Sequence, residues 1–155
     1  MSIRPVTPGD LPALRALHEQ QGAWTWCGAD LSEAGPTDLP PEDLAFVDVE
    51  DGEILAYIQF RLGGTFGCSS SVTRLVVRKE AHGKGAERRI LEFVEEMTLA
   101  RGQDLFLLCR SDRPEARRFC EEMGYKACGE LDAYPGPGVA QVIYRKRAQR
   151  GSLGA

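Results

Sequence analysis

Long apolar runs are missing from this sequence. None comes near the roughly 18 residues a membrane-spanning helix needs, and the opening M-S-I-R-P-V-T-P has no apolar stretch of the secretory-leader kind. No membrane partner and a cytoplasmic location are therefore expected. Histidine is scarce, at two residues, and the five cysteines (Cys27, Cys68, Cys109, Cys120 and Cys128) are odd in number with no C-x-x-C spacing. That excludes a disulfide framework and predicts free thiols without a metal site. An excess of cations is missing too: the net charge of −4 argues against nucleic acid as the main partner. Repeats, low-complexity tracts and linkers are absent. What is present is 43% hydrophobic and 27% charged residues over 155 positions, which describes one soluble globular domain with a single core.

The most informative stretch is Leu75 to Val94, L-V-V-R-K-E-A-H-G-K-G-A-E-R-R-I-L-E-F-V. It begins as a strand, passes a charged turn with Gly83 and Gly85, and continues with Ile90, Leu91, Val94 and Met97 at helical spacing. A strand, a glycine turn and a helix present free N–H groups and the positive end of the helix dipole to an anion. Glycine allows a ligand oxygen to reach the backbone without meeting a Cβ. The P-loop is excluded, because Gly83-Lys84 is followed by Gly85 where it needs Ser/Thr. The dinucleotide fingerprint G-x-G-x-x-G fails at Arg88. An unliganded strand-to-helix turn is the plain alternative.

Around this stretch the pattern runs as follows. Residues 2–6 are strand-like, and Thr7-Pro8-Gly9-Asp10 reads as a capping box opening a helix to about Gln20, with Leu11, Leu14 and Leu17 inward. His18 flanks that face as a packed or solvated residue. Residues 21–41 are irregular and carry Trp24 and Trp26, which either line a pocket or cap the core. Leu44–Val49, Ile54–Leu62 and Ser69–Arg78 form a meander, with a turn at 50–53 and a break at Gly63-Gly64. The helix after the glycine turn ends near Arg101-Gly102. Leu105–Cys109 is uniformly apolar, as in a strand covered on both faces. Asp112 and Glu115 suggest a second capping box for a helix through Met123, stopped by Gly124. Residues 125–131 and 139–146 form a hairpin, and the tail from Arg147 is polar. This order predicts an α/β (α+β) domain over 1–146: a mixed, mostly antiparallel sheet of about six to seven strands with helices on both faces.

The glycine turn, placed after the fourth strand, resembles the acyl-CoA pyrophosphate loop of the GNAT superfamily of N-acetyltransferases. That loop is Arg/Gln-x-x-Gly-x-Gly/Ala; His82 takes the first position, Gly83 and Lys84 lead to Gly85 at the glycine, and Glu87 replaces the last. A carboxylate there suits the helix dipole but repels a pyrophosphate unless its side chain points outward. The segment C-R-S-D-R-P-E-A-R-R-F-C-E-E-M-G-Y resembles the family's Asn-x-x-Ala-x-x-Φ-Tyr-x-x-x-Gly-Phe. Arg113 stands for Asn, Ala116 and Phe119 match, Cys120 replaces the tyrosine, and Gly124-Tyr125 stands for Gly-Phe.

The resemblance implies transfer of acetyl from acetyl-CoA, or another acyl-CoA, to a primary amine of a small molecule or peptide by direct attack. It implies that the backbone of Leu75, Val76 and Val77 serves pantetheine and the thioester carbonyl. The amides of His82, Gly83, Lys84, Gly85, Ala86 and Glu87 would hold the pyrophosphate. Lys84, Arg88, Arg89, Arg113 and Arg117 are cations available to the phosphates. Cys120 occupies the place of the general acid; a thiol of pKa about 8.5 matches a CoA thiolate. Tyr125 is the alternative, and Tyr134 and Tyr144 are further hydroxyls. The carboxylate the family often carries on the fourth strand is replaced by Thr73 and Arg74, so no base is named. Many relatives dimerise, so a homodimer is among the expectations. The rival expectation is a GNAT-fold binding or regulatory protein without turnover, motivated by Glu87, Cys120 and the missing carboxylate.

Overall fold

The computed structural model describes residues 2–19, the backbone of 25–27, and residues 41–134 and 136–148. Its elements are β1 (Ser2–Pro5), α1 (Leu11–Glu19), β2 (Thr25–Cys27), β3 (Asp43–Glu50), β4 (Glu53–Thr65), β5 (Ser69–Val77), α2 (Ala86–Thr98), β6 (Leu105–Arg110), α3 (Pro114–Glu122), β7 (Lys126–Leu131) and β8 (Gln141–Lys146). One mixed sheet runs β1-β3-β4-β5-β6-β8-β7, with β2 an additional partner of β5. Among the described strands, β5 and β6 make the parallel pair and the other pairings are antiparallel.

The sheet separates two apolar clusters, as alternating side chains require. On one face Leu14 and Leu17 of α1 pack on Val47, Ile54, Tyr57 and Val76. On the other, Ile90, Leu91 and Val94 of α2 and Phe119 of α3 cover Ile58, Phe60, Leu75, Val77, Leu105 and Leu107. The hairpin between β3 and β4 turns at Asp51 and Gly52, both at positive φ, the two-residue geometry that matches strand twist.

Several local readings are corrected. Gly63-Gly64 does not end its strand: β4 continues to Thr65, with the glycines at φ +74° and +82° and a shifted register against β5. β6 is not covered equally on both faces, because Leu105, Leu107 and Cys109 are buried while Phe106, Leu108 and Arg110 are half-exposed. Asp112 does not cap α3: its carboxylate is taken by Arg110 at 2.8 and 3.0 Å, and Arg113 is the N-cap residue. Within the stretch read as irregular, Thr25–Cys27 form a strand, while the side chains of Trp24 and Trp26 lie outside the described residues. The polar tail from Arg147 lies mostly outside them as well, although the amide of Ala148 donates to Asp104 Oδ1 at 2.8 Å.

A bulge sets up the functional end of the sheet. Gln59 pairs with Arg74 and Phe60 with Val72, which leaves Thr73 as the extra residue on β5. Bulges bend and twist a strand. β5 pairs with β6 over Ser70, Ser71 and Val72, and no further. From Thr73 to Val77 the two strands part, and the glycine turn follows at that same end.

Candidate active site at the carboxyl ends of the parted strands

The turn after Val77 is anchored before it curls. The Arg78 amide donates to Leu55 O at 2.7 Å and its Nε to Ile54 O at 2.8 Å. A 3-10 turn spans Lys79–Ala81, and Gly83 and Gly85 then take φ of +76° and +92°, with Gly85 the N-cap of α2. Both need glycine, since L side chains are strained in that region. Space allows a Cβ at Gly83, which has nothing within 4 Å. Lys84 N donates to Ala81 O and Arg89 N to Gly85 O. That leaves the amides of Gly83, Gly85, Ala86, Glu87 and Arg88 without a backbone acceptor among the described residues, at the positive end of a 13-residue helix.

The charged side chains around the turn fall into two sets. Lys84 is exposed, and Arg88 is exposed with a 3.5 Å ion pair to Glu92. Arg89 Nε donates to Asp48 at 3.2 Å, and its Nη1 stays beside the turn, 3.6 Å from where a Cβ on Gly85 would stand. Of the two orientations open to Glu87 the structure has the inward one: it is 7% exposed, and its Oε2 is buried without a hydrogen-bond partner. The hydrophobic sequence around it explains this, because Glu87 shares the inward face of α2 with Ile90, Leu91 and Val94.

The second set sits at the end of β6. Cys120 is fully buried and hydrogen-bonded to the Cys109 thiol; that bond, with burial, pushes Cys109 far up. Tyr144, facing Leu107 across β8 and β6, brings its hydroxyl to the same place. It accepts from Arg117 Nε at 3.2 Å and donates to Glu121 Oε1 at 3.3 Å. Burial raises its pKa, while Arg117 opposes the rise. Arg113 and Arg117 therefore gather around the Cys109, Cys120 and Tyr144 cluster.

Tyr125, the alternative hydroxyl, points elsewhere. Its hydroxyl donates to Glu95 Oε2 at 2.8 Å beneath Lys146, and Glu95 lies about 12 Å along α2 from Glu87. The hydroxyl that joins Cys120 is that of Tyr144, which the sequence offered without a reason to prefer it.

On the face of α1, Arg74 occupies the strand position where a carboxylate was looked for. Its Nη1 reaches His18 Nε2 at 3.3 Å, and His18 Nδ1 meets Leu14 O at 2.7 Å. Burial lowers the His18 pKa and the Leu14 carbonyl opposes this. His18 also packs edge-on against Tyr57, whose hydroxyl burial pushes up to about 12. Gln141, which the sequence did not single out, begins β8 opposite Arg110 at the same end of the sheet. It is fully buried, and neither amide atom has a hydrogen-bond partner.

The family model described as Acetyltransferase (GNAT) family matches residues 11–125. The chain belongs to the GNAT acetyltransferase family. No curated protein matches the sequence. Solved GNAT structures are similar in fold over nearly the whole length. The ribosomal-protein-S18-alanine N-acetyltransferase of Escherichia coli is 18% identical, with a TM-score of 0.78 over 99% of this chain and 97% of its own. The aminoglycoside 6'-N-acetyltransferase of Enterococcus faecium is 16% identical, with a TM-score of 0.76 over 97% of this chain and 99% of its own. An aminoglycoside 6'-N-acetyltransferase complexed with coenzyme A has a TM-score of 0.75 at 16% identity, covering 97% and 99%.

In GNAT terms, Leu75–Val77 and the turn 82–88 meet at one end of the sheet. There the sheet holds a further strand. β2 pairs antiparallel with β5, Thr25 opposite Val76 and Cys27 opposite Leu75. Because β4 already holds the other edge of β5 at Leu75 and Val76, β2 lies on the side where β6 has parted.

Proposed function

We propose that this GNAT chain is an N-acetyltransferase using acetyl-CoA, or a closely related acyl-CoA, and a primary amine of a small molecule or peptide. The observation that carries the reading is the set of amides of Gly83, Gly85, Ala86, Glu87 and Arg88, without a backbone acceptor among the described residues, at the α2 N-terminus beside the parted β5 and β6. Donors of that kind fit a diphosphate, and Lys84 and Arg88 stand at the turn to neutralise it. Acetyl-CoA would supply the activated acetyl group. The edge of β5 at Leu75–Val77 is the chain's source of an amide for a carbonyl oxygen gaining charge. Tyr144, held by Arg117 and Glu121 beside Cys120, is the proton donor for a departing thiolate. The structural neighbours that act on aminoglycosides and on ribosomal-protein alanine support an amine acceptor without choosing between a sugar and a peptide.

A second reading, a GNAT-fold binding protein without turnover, is favoured by the buried carboxylate of Glu87 and the fully enclosed Cys120 thiol. A thermal shift with acetyl-CoA, with adenosine as control, separates the two. Ligand at a hundred times its dissociation constant adds about 2.7 kcal/mol, or several degrees for a chain of this size. A rise with acetyl-CoA alone, followed by CoA release on adding amines, is the expected result. No rise at millimolar ligand would overturn the cofactor assignment.

A further inference from the structure

We infer that β2 is a built-in competitor of the acyl donor: it occupies the edge of β5 that pantetheine would need, and binding must evict it. The inference rests on the acyl-CoA reading above. β5 offers two edges over Leu75 and Val76. β4 takes one, pairing Ile58 with Leu75 and Tyr57 with Val76. β6 leaves the other after Val72. That second edge is taken as well, because Thr25 and Cys27 lie opposite Val76 and Leu75. An edge N–H or C=O makes its ladder bond to one partner at a time, so a strand and an extended pantetheine arm exclude each other there.

The competitor is weak by construction. β2 is three residues long, and its register against β5 slips between Thr25 and Cys27. A short, irregular edge strand satisfies otherwise bare backbone groups without holding them tightly. The apparent affinity for the donor is then the intrinsic one scaled by the fraction of molecules with the edge free.

Amide hydrogen exchange on the full-length chain, with and without saturating acetyl-CoA, reads this directly. The amides of 83–88 gain protection on binding, and Leu75–Val77 stay protected because one partner replaces another. The amides of Thr25–Cys27 lose protection. Protection of Thr25–Cys27 that holds or rises, while 83–88 become protected, overturns the inference and leaves the acyl-CoA reading standing. The double variant Thr25→Pro/Cys27→Pro removes two donors from β2. Isothermal titration should find it binding acetyl-CoA about tenfold tighter, the gain expected where roughly a tenth of the wild-type molecules have the edge free. Unchanged or weaker binding by a folded variant counts against the inference. Binding by the variant alone supports it in its strongest form, a chain locked by its own strand. Absence of binding by both proteins overturns both readings together.

Discussion

Two side chains of the proposed site, Glu87 and Cys120, are not the types that the family pattern carries at their positions. Glu87 puts a carboxylate, buried and with one oxygen unbonded, in the first turn of the helix whose amides should meet a diphosphate. Glu87→Gln keeps the shape and removes the repulsion. Acetyl-CoA affinity by calorimetry should rise by about 1–2 kcal/mol, roughly tenfold. Equal affinity would mean that the carboxylate only packs beneath the turn. Cys120 leaves the family's hydroxyl missing on α3, and Tyr144 brings one from β8 to the same cluster. Tyr144→Phe should lower kcat at least tenfold while the donor's Kd, read by titration, stays within about twofold. Cys120→Ala, which removes only a thiol enclosed with Cys109, should leave kcat close to wild type. The reverse pattern would return the acid to Cys120.

At the scale of elements, the legible parts were those that local chemistry dictates. Gly83 and Gly85 were readable because a tight turn into α2 demands positive φ, and the amphipathic spacing of Ile90, Leu91 and Val94 fixes which face turns inward. The opening of the first helix was legible for the same reason. Thr7 N donates to Asp10 Oδ2 at 2.8 Å, and Arg4 from β1 grips both Asp10 oxygens at 2.7 and 2.9 Å. The Arg4 hydrogen bond holds the Asp10 carboxyl well below the usual carboxylate range. Its contribution is therefore complete above the unfolded pKa of about 3.9 and is lost as pH falls through the lower folded value. Asp10→Ala should cost about 1–2 kcal/mol in urea unfolding at neutral pH, and the cost should shrink in acid. Long-range competition was not legible. Asp112 looks like a cap until Arg110 takes it, and Gly63-Gly64 look like a stop until β5 pairs beyond them. T-W-C has strand-forming residues but is too short for alternation to announce a strand, and β2 answers the edge of β5 that β6 leaves after Val72.

Across the whole molecule, the sheet carries two cores, and a polar contact ties the smaller one to the site. α1 lies on the face opposite α2 and α3, and its His18 links Leu14 O on its own helix to Arg74 on β5, next to the strand's functional edge. Among the described residues, the groups facing His18 are Arg74, the Leu14 carbonyl and the Tyr57 ring. Burial and then the Arg74 cation disfavour the imidazolium, against the pull of the carbonyl, so the folded pKa lies below the unfolded one. The sign follows: unfolded chains take up the proton first as pH falls below about 6.5, so stability present above that pH declines below it. Losing the neutral Nε2 also removes the acceptor that Arg74 uses. His18→Phe, which keeps an aromatic ring against Tyr57, should lower Tm at pH 7.5 by a few degrees. It should also flatten the decline between pH 6.5 and 5.5 measured by thermal unfolding. A variant that loses stability equally at both pH values would make His18 a packing residue whose titration is not coupled to folding. If the flattening occurs, acetyl-CoA affinity in the wild type should weaken over that same window, because Arg74 neighbours Leu75, where β2 and the proposed donor compete.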